Sequence, residues 1–264
     1  MREKQLSKRL QAVVALVTPG RRVADVGCDH AYVSIYLIEH GLARECMALD
    51  VREGPLQRAR ENIAAHRLSE QIQTRLGSGL EPVGRGEVDT VLMAGMGGIL
   101  IRDLLEESRT LSHSLKEWVL QPQSDVELVR GYIRESGFHI IREEMVWEDG
   151  KYYPMFCAVP EQPKQAEQET QAGSEPNELA VWDRFGALLL RQRHPVLYAY
   201  LKDREQHYAQ VIRQMQQKPG ADRKDNRNEQ SDQREKVRAE QLFLIQQEAD
   251  YVKWALQYWE GKGE

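Results

Sequence analysis

Three aspartates and one glycine carry the clearest chemical potential in this chain. Gly27 lies between Asp25 and Asp29 in a tight polar turn that follows a short β-branched run. Asp50 ends the next apolar run, about twenty residues further along. A carboxylate in that place accepts both hydroxyl groups of a ribose, and a glycine lets a ligand come close to the backbone. The pattern indicates a site for an adenosine-type cofactor; the alternative is ordinary turn and strand-end chemistry.

The turn around Gly27 is too short for a pyrophosphate. A phosphate-binding loop usually carries G-x-G-x-x-G in front of a helix, whereas this turn reads Asp25-Val-Gly-Cys-Asp29. S-adenosylmethionine (SAM) has no phosphate, and either aspartate can accept a hydrogen bond from its methionine ammonium group. The sequence therefore favours SAM. Cys28 is interpreted as a small buried residue rather than a nucleophile.

A second unusual stretch, Ala94-Gly-Met-Gly-Gly98, is predicted to be a turn; it follows the fourth apolar run and would lie beside the methyl group that is transferred. It offers small residues and backbone N–H groups, but none of the side-chain acceptors that would withdraw protons from an exocyclic amino group. It therefore suits a target nitrogen with a lone pair and no proton to lose, such as N1 of adenine. The product is cationic, so a nearby carboxylate would stabilise it. Asp29 is the candidate, with His30 and Tyr32 beside it.

The elements that must position these residues alternate between strands and helices. An amphipathic helix is predicted over residues 3–17, and strands over residues 23–27, 46–50, 72–76, 88–93 and 118–120, each of the five followed by a turn or helix. Residues 139–147 and 152–159 form a hairpin around Asp149-Gly150. We expect a seven-stranded, mostly parallel sheet with helices on both faces. The terminal antiparallel hairpin is typical of Rossmann-like SAM methyltransferases rather than NAD-binding domains.

The last third of the chain has another character. Residues 161–178 contain no apolar residue larger than alanine and are predicted to be a linker. Helices are expected over residues 179–193, 195–217 and 235–259, with a charged loop over 221–236. The apolar residues of the last helix recur every three or four positions, which favours a coiled-coil-like antiparallel hairpin of helices. The alternative is two helices packed on the main domain.

Composition limits the class of protein. The chain has 264 residues, 41% of them hydrophobic and 29% charged, and a net charge of -5. Its three cysteines have no metal-like spacing and suit a reducing compartment. No apolar run approaches the ~20 residues of a membrane span, and the first residues lack the apolar core of a signal peptide. We expect a cytoplasmic protein with no membrane or metal partner.

Several stretches of residues 1–160 occur together in a fixed order: Asp25-Val-Gly-Cys-Asp-His-Ala-Tyr32, Asp50-Val-Arg52, Gly77-Ser-Gly-Leu80, Met93-Ala-Gly-Met-Gly-Gly98, Leu120-Gln-Pro-Gln123 and Glu148-Asp-Gly-Lys-Tyr-Tyr-Pro154. With them the chain resembles the bacterial tRNA (adenine-N1)-methyltransferases of the TrmK family. The resemblance implies methyl transfer from SAM to N1 of adenosine 22 in the D-arm of tRNA. It also implies a catalytic domain, residues 1–160, and a helical domain, residues 179–264.

The resemblance also assigns roles to residues. The residues implied to line the SAM pocket are Asp25, Gly27, Cys28, Asp29, His30, Asp50, Val51, Gly77, Ser78, Gly79, Gly95 and Gln121. Those implied to act on the base are Asp29, His30 and Tyr32, and an aromatic ring such as Tyr32 or Tyr153 would stack on it. The residues expected to contact the RNA are Met96, Gly97, Gly98, Arg9, Arg22, Arg52 and Arg102.

An acidic chain needs a local basic surface to bind tRNA. Lys4, Lys8, Arg21, Arg191, Arg193, Lys202 and Arg213 are further candidates for it, although each alone reads as a solvated surface charge. A monomer is favoured. Two other functions remain open: a small-molecule SAM methyltransferase of the same fold, and a non-catalytic RNA-binding protein that retains SAM as a ligand.

Overall fold

The computed structural model describes residues 6–112, 114–160, 176–217 and 229–261. The chain divides into two compact units, Met1–Gly173 and Ser174–Glu264. In the described residues, no helix has both the length and the apolar character needed to cross a membrane.

The first unit is built on a seven-stranded sheet with the strand order β3-β2-β1-β4-β5-β7-β6. Its strands are β1 (Arg21–Val26), β2 (Ala43–Asp50), β3 (Ile72–Leu76), β4 (Thr90–Met96), β5 (Glu117–Pro122), β6 (Phe138–Glu148) and β7 (Lys151–Pro160). Its helices are α1 (Lys8–Ala15), α2 (Tyr32–Glu39), α3 (Glu53–Ala65), α4 (Gly98–Glu107), α5 (Arg109–Ser112) and α6 (Val126–Glu135). Strands β1 to β5 pair in parallel, whereas β7 is antiparallel to β5 and β6. The predicted sheet with a terminal hairpin is confirmed.

The centre of the sheet explains why its strands read as apolar runs. Strand β1 lies between β2 and β4, so its residues Val23–Val26 are covered on both faces and all four are buried. One layer of core contains α1, α2 and α3, and the other contains α4 and α6. In the second layer the rings of Trp118 and Phe138 stack with centroids 3.7 Å apart. Because β1 to β5 are parallel, their carboxyl ends lie together at one side of the sheet, which is called here the carboxyl edge.

Strand β4 continues further than the sequence indicated. The stretch Ala94–Gly98 is not a turn, because Ala94 pairs with Gln121 and Met96 with Pro122 on β5. The register shifts between these pairs, and Gly95, with φ +82°, is the extra residue of a β-bulge. Helix α4 then begins directly at Gly98. The bulge brings the backbone of β4 to the carboxyl edge without a connecting loop.

Helix α1 is shorter than predicted and is fixed to the terminal hairpin. It begins at Lys8, and the hydroxyl of Ser7 accepts a hydrogen bond from the backbone N–H of Leu10. The carboxylate of Glu148, at the end of β6, accepts from the backbone N–H groups of Lys8 (2.6 Å) and Arg9 (3.2 Å). A carboxylate at a helix N-terminus satisfies unpaired donors and interacts favourably with the helix dipole. The hairpin thus holds α1 near the carboxyl edge.

The second unit is helical. Its helices are α7 (Pro176–Phe185), α8 (Ala187–Arg191), α9 (Pro195–Gln216) and α10 (Glu229–Trp259). The single helix expected over residues 179–193 is wrong, because Gly186 adopts φ +88° and separates α7 from α8. The last helix begins at Glu229, earlier than predicted. The predicted linker lies almost entirely outside the described residues, as does the part of the charged loop between residues 218 and 228.

Helices α9 and α10 run antiparallel to each other. Tyr198 near the start of α9 stacks on Trp259 at the end of α10, with ring centroids 4.3 Å apart. At the other end, the guanidinium of Arg238 donates to the carbonyl oxygen of Met215. Val252 and Leu256, near the end of the apolar series predicted for the last helix, are buried. The helical hairpin is therefore present, whereas its coiled-coil geometry stays a prediction.

Candidate active site

The carboxyl edge brings the predicted cofactor residues of four strands together. The turn with Gly27 follows β1, Asp50 ends β2, Gly77 follows β3, and Gly95 lies in the last part of β4. The backbone N–H of Gly77 donates to the carbonyl oxygen of Asp50 at 3.1 Å, which ties the end of β3 to the end of β2. These four strands therefore present predicted cofactor residues at one shared edge.

Asp50 presents its carboxylate between two exposed apolar side chains. Its Oδ1 accepts from the backbone N–H of Arg52 at 2.9 Å, and the side chain is otherwise largely buried. Val51 is 67% exposed, and Leu76, the register partner of Asp50 on β3, is 51% exposed. An acid flanked by flat apolar surface suits a nucleoside. Leu76 was missed, because a strand-end leucine reads as core until its strand is placed.

Gly27 exposes its backbone at the end of β1. It has φ +71° and is exposed, while its neighbours Val26 and Cys28 are buried. A side chain at this position would be strained by the backbone and would meet the terminal methyl group of Met96. The Gly27 N–H donates to the carbonyl oxygen of Leu49 at 2.8 Å. The turn is therefore fixed in a form that leaves the backbone accessible.

Asp25 is directed into the protein rather than toward the open edge. It is buried, and its Oδ2 accepts from the hydroxyl of Ser34 on α2 at 2.7 Å. Burial raises the pKa of Asp25 to about 6, with the hydrogen bond from Ser34 acting in the opposite direction. Asp25 therefore fixes α2, and its predicted contact with the cofactor, directly or through water, stays a prediction.

The raised pKa of Asp25 predicts a pH-dependent stability. Because the folded protein holds this proton more tightly than the unfolded chain, stability falls as the pH rises from about 4 to about 6 and is level above that. Asp25→Asn should remove this contribution. The free energy of unfolding of the variant, measured relative to that of wild type, should therefore rise by on the order of 2 kcal/mol between pH 4 and pH 7. Urea unfolding at both pH values measures the difference. Parallel pH profiles for the two proteins would contradict the assignment.

The three residues implied to act on the base lie together after β1. Asp29 has φ +50°, and its side chain is 65% exposed. The Nε2 atom of His30 lies 3.6 Å from Oδ2 of Asp29, and the His30 and Tyr32 ring centroids are 5.6 Å apart. The amide of Asn62 on α3 donates to the carbonyl oxygen of His30 at 3.0 Å. The turn that carries Asp29 is thus held from α3.

Cys28 has no chemical role in this arrangement. It is buried, and burial raises the pKa of its thiol, an effect that the negative charges of Asp25, Asp50 and Asp29 increase. The thiol therefore stays protonated. Within the described residues, no group of three or more histidine, cysteine, aspartate and glutamate side chains could hold a metal ion.

The residues after β3 divide between the edge and the core. Ser78 is exposed, and its carbonyl oxygen accepts from the backbone N–H of Glu81 at 3.0 Å. Gly79 is buried, and a Cβ there would lie 2.6 Å from Leu104 on α4. A Cβ at Gly77 would lie 2.9 Å from the ring of Pro82. Ser78 and the backbone of Gly77 are therefore open at the edge, whereas Gly79 is buried against α4, and its contact with the cofactor stays a prediction.

Gly98 joins α4 to the segment that follows β5. Its N–H donates to the carbonyl oxygen of Ser124 at 3.0 Å, and an added Cβ would lie 2.5 Å from the carbonyl oxygen of Asp125. Neighbouring Gly97 has less restraint, since its Cβ would lie 3.3 Å from the hydroxyl of Ser124. Gly98 is therefore a packing glycine at the start of α4.

Gly98→Ala should destabilise the first unit, because backbone carbonyls cannot move aside as a side chain would. We expect a loss of about 2–3 kcal/mol in the free energy of unfolding, measured by denaturant titration. Gly54→Ala is the matched control: Gly54 lies on α3, and a Cβ there meets nothing within 4 Å. Equal stability of the two variants would contradict the packing described.

Gln121 is tied into the protein by both of its polar atoms, and its predicted contact with the cofactor stays a prediction. It is fully buried; its Oε1 accepts from the guanidinium of Arg9 at 2.6 Å, and its Nε2 donates to the carbonyl oxygen of Pro122 at 3.0 Å. Both polar atoms are engaged within the protein. The guanidinium of Arg9 also lies over the ring of Tyr153, 5.4 Å from its centroid, which covers one face of that ring. Gln121 therefore orients Arg9.

The other predicted cationic contacts separate into two groups. Arg22 is at the start of β1, away from the carboxyl edge, where its side chain bonds to Asp89 at 3.1 Å. The Arg22 guanidinium holds the pKa of Asp89 well below its usual range. Arg22 therefore lies at the edge opposite the candidate site, and its contact with RNA stays a prediction. Arg52 lies beside Asp50, and Arg102 bonds to Asp103 on α4.

Known proteins resemble the chain over almost its whole length. A tRNA (adenine(22)-N(1))-methyltransferase of Bacillus subtilis strain 168 is 29% identical over 251 residues, which are 95% of this chain and 100% of that protein. A crystal structure of a candidate tRNA (m1A22) methyltransferase of Streptococcus pneumoniae is 28% identical, with a TM-score of 0.77 over 96% of this chain and 100% of that one. A structure of that protein with S-adenosyl-L-methionine has the same identity and coverage and a TM-score of 0.72. The resemblance and the fold class inferred from the motifs are confirmed.

A family model described as a methyltransferase domain matches residues 6–156. The match runs from the residues before α1 into β7, so it contains the whole carboxyl edge and every strand that ends there. Because it spans more than half of the sequence, the chain belongs to the methyltransferase domain family.

Proposed function

We propose that this chain transfers the methyl group of SAM to N1 of adenosine 22 in tRNA. The end-to-end likeness to the Bacillus subtilis enzyme supports the reaction, and the SAM complex of the Streptococcus pneumoniae protein supports the cofactor. The structural observation that carries the proposal is the grouping of Gly27, Asp29 and Asp50 at the carboxyl edge. An accessible glycine backbone, an exposed acid and a strand-end acid are what a SAM-dependent transfer to a neutral nitrogen needs.

The residues at this edge fit SAM. Asp50 offers a carboxylate for the ribose hydroxyls, in the place where this class of sheet binds them. Val51, which follows Asp50 directly, and Leu76, at the end of the neighbouring β3, offer exposed apolar surface, which suits the adenine ring of the cofactor. The exposed backbone of Gly27 and the side chain of Ser78 border the same space. These residues would hold the cofactor, while Asp25 shapes the turn from behind.

SAM supplies an electrophilic methyl group when it is bound. N1 of adenine attacks with its own lone pair and loses no proton, so the protein has to supply charge stabilisation rather than a general base. The exposed carboxylate of Asp29 can stabilise the positive charge that the adenine ring gains. His30, held by Asn62, fixes the turn, and Tyr32 adds an aromatic surface beside it.

The substrate side is the finer part of the proposal. A base in the D-arm of folded tRNA must be turned out of its stack before its N1 can reach a methyl group. We propose that it enters above Gly95 and Gly97, where β4 meets α4 and neither glycine carries a side chain, while the end of Met96 between them reaches toward Gly27. Binding by a monomer in the cytoplasm, with a salt-sensitive affinity, belongs to the same proposal.

The test is an assay of purified protein with SAM and tRNA transcripts, read by mass spectrometry of the nucleosides. One transcript carries adenosine at position 22, and its matched control carries guanosine there. We expect N1-methyladenosine in the first and none in the second. Methylation of both transcripts would refute the choice of position 22. No methylated adenosine in either would refute the RNA methyltransferase function and leave a small-molecule acceptor or a binding role.

A further inference from the structure

Arg9 lies on the substrate side of the candidate site, although it comes from a helix that precedes the sheet. Its Nη1 donates to Gln121 at 2.6 Å, and the same atom would lie 3.5 Å from a Cβ placed on Gly95. Its guanidinium also covers one face of the Tyr153 ring. Arg9 therefore lies at the end of β4, between the β-bulge and the terminal hairpin.

Two separate contacts keep Arg9 in this place. Gln121 is a fully buried amide whose oxygen is used to accept from the guanidinium. The carboxylate of Glu148 accepts from the Arg9 backbone N–H at 3.2 Å and fixes the first turn of α1. Ordering a long cationic side chain costs conformational entropy. Contacts at both ends of the residue offset that cost and leave the guanidinium oriented.

The charge of Arg9 has no acidic partner among the residues that the structure describes. Its guanidinium bonds to an amide and lies on a phenol ring, both of them neutral, whereas Arg22, Arg52 and Arg102 each lie within 4 Å of a carboxylate. A half-buried cation held by neutral groups retains its attraction for an anion, and an arginine fork matches a phosphate in particular. Arg9 is thus prepared to bind an oxyanion.

The position of Arg9 favours the RNA over the cofactor as the source of that anion. In the strand order β2-β1-β4-β5, Asp50 and Gln121 are three strands apart, roughly 14 Å at the usual spacing. The ribose end of the cofactor would lie at Asp50, so Arg9 is on the far side of β4 from it. The carboxylate of the cofactor's methionine part is the competing source, and its distance from Arg9 is what an experiment must decide.

We propose that Arg9 binds a phosphate of the nucleotide whose base is methylated, and that Gln121 and Glu148 are its positioning residues. This rests on the proposed tRNA substrate. A phosphate held beside the Gly95 bulge would fix the backbone of the displaced nucleotide, so that its base points at the methyl group. Arg9 thereby contributes to orientation, whereas Asp29 contributes to charge stabilisation.

The test compares Arg9→Gln and Arg9→Lys with wild type and with Arg44→Gln. Arg44 is an exposed arginine at the start of β2, at the opposite edge, so its loss removes one charge without touching the site. Three quantities are measured: the KM for tRNA, the dependence of tRNA affinity on salt by fluorescence anisotropy, and the affinity for SAM by calorimetry. Thermal unfolding establishes that each variant is folded.

For Arg9→Gln we expect a KM for tRNA raised about tenfold or more, a salt slope reduced by about one, and an unchanged SAM affinity. Arg9→Lys should regain the salt slope and part of the KM, because it keeps the charge and loses the fork. Arg44→Gln should match wild type. Weaker SAM binding with an unchanged KM for tRNA would assign Arg9 to the cofactor carboxylate and overturn the proposal. A wild-type salt slope in Arg9→Gln, or a reduced one in folded Arg9→Lys, would also overturn it.

These results are separable from the proposed function. The salt slope reports RNA binding and does not depend on methylation. Absence of N1-methyladenosine with the wild-type protein would refute the reaction, whereas the Arg9 proposal is decided by the anisotropy and calorimetry results, which need no turnover.

Discussion

Asp50→Ala should weaken SAM binding by about 100-fold or more, because two charge-assisted hydrogen bonds to the ribose would be lost, each worth about 1.5–3 kcal/mol. The side chain is 6% exposed; among the described residues it accepts one hydrogen bond, from the backbone N–H of Arg52, and the Arg52 guanidinium lies 3.8 Å from the same oxygen. Most of its hydrogen-bonding capacity is therefore available to a ligand. Calorimetric titration with SAM, or with its demethylated product, measures the effect.

The matched control is Asp50→Asn, which keeps one acceptor oxygen and the approximate volume of the side chain. We expect an affinity between those of wild type and Asp50→Ala. The amide oxygen of asparagine can still accept from the backbone N–H of Arg52. Thermal unfolding of both variants shows whether either has lost stability. An unchanged SAM affinity in folded Asp50→Ala would exclude Asp50 from the cofactor site.

Asp29→Asn should lower kcat by about 100-fold with little change in SAM affinity, because the carboxylate is proposed to stabilise charge that exists only as the methyl group is transferred. Asparagine is the right replacement, since Asp29 has φ +50° and asparagine tolerates this conformation as aspartate does. Single-turnover methylation of tRNA at saturating SAM measures the chemical step separately from product release.

The comparison with Asp29→Ala separates charge from backbone strain. Alanine removes the carboxylate and also fits the left-handed conformation less well, so it should be slower than Asp29→Asn or equal to it. A normal single-turnover rate in Asp29→Asn would remove Asp29 from catalysis, whatever the alanine variant does. It would leave orientation of the base as the chief contribution of the protein.

The fold could be predicted because the sheet is buried on both faces. Runs such as Val23–Val26 contain no polar residue except Asp25, which reads as a strand-end acid, and the alternation with helices gives the parallel order. The Asp149-Gly150 turn gave the antiparallel end. These are local signals, and each element could be placed from its own residues.

The site was harder to predict where it depends on residues far apart in the chain. The bond between Arg9 and Gln121 joins residues 112 positions apart, and nothing near either residue indicates it. The bulge at Gly95 was read as a turn, because glycine-rich stretches predict both. The position of Arg22 could have been predicted: it begins a strand whose end forms the site, so a parallel sheet places it at the other edge.

The contact of Glu148 with α1 also has a consequence for the order of assembly. Helix α1 is synthesised first, but the carboxylate that fixes its first turn follows 140 residues later in the chain. During synthesis, the half of the edge that holds Asp50 can form once the first strands are available. The half with Arg9 is complete only when the terminal hairpin has been made. A nascent chain that ends before the hairpin would therefore lack the carboxylate that fixes the first turn of α1 and, with that turn, the position of Arg9.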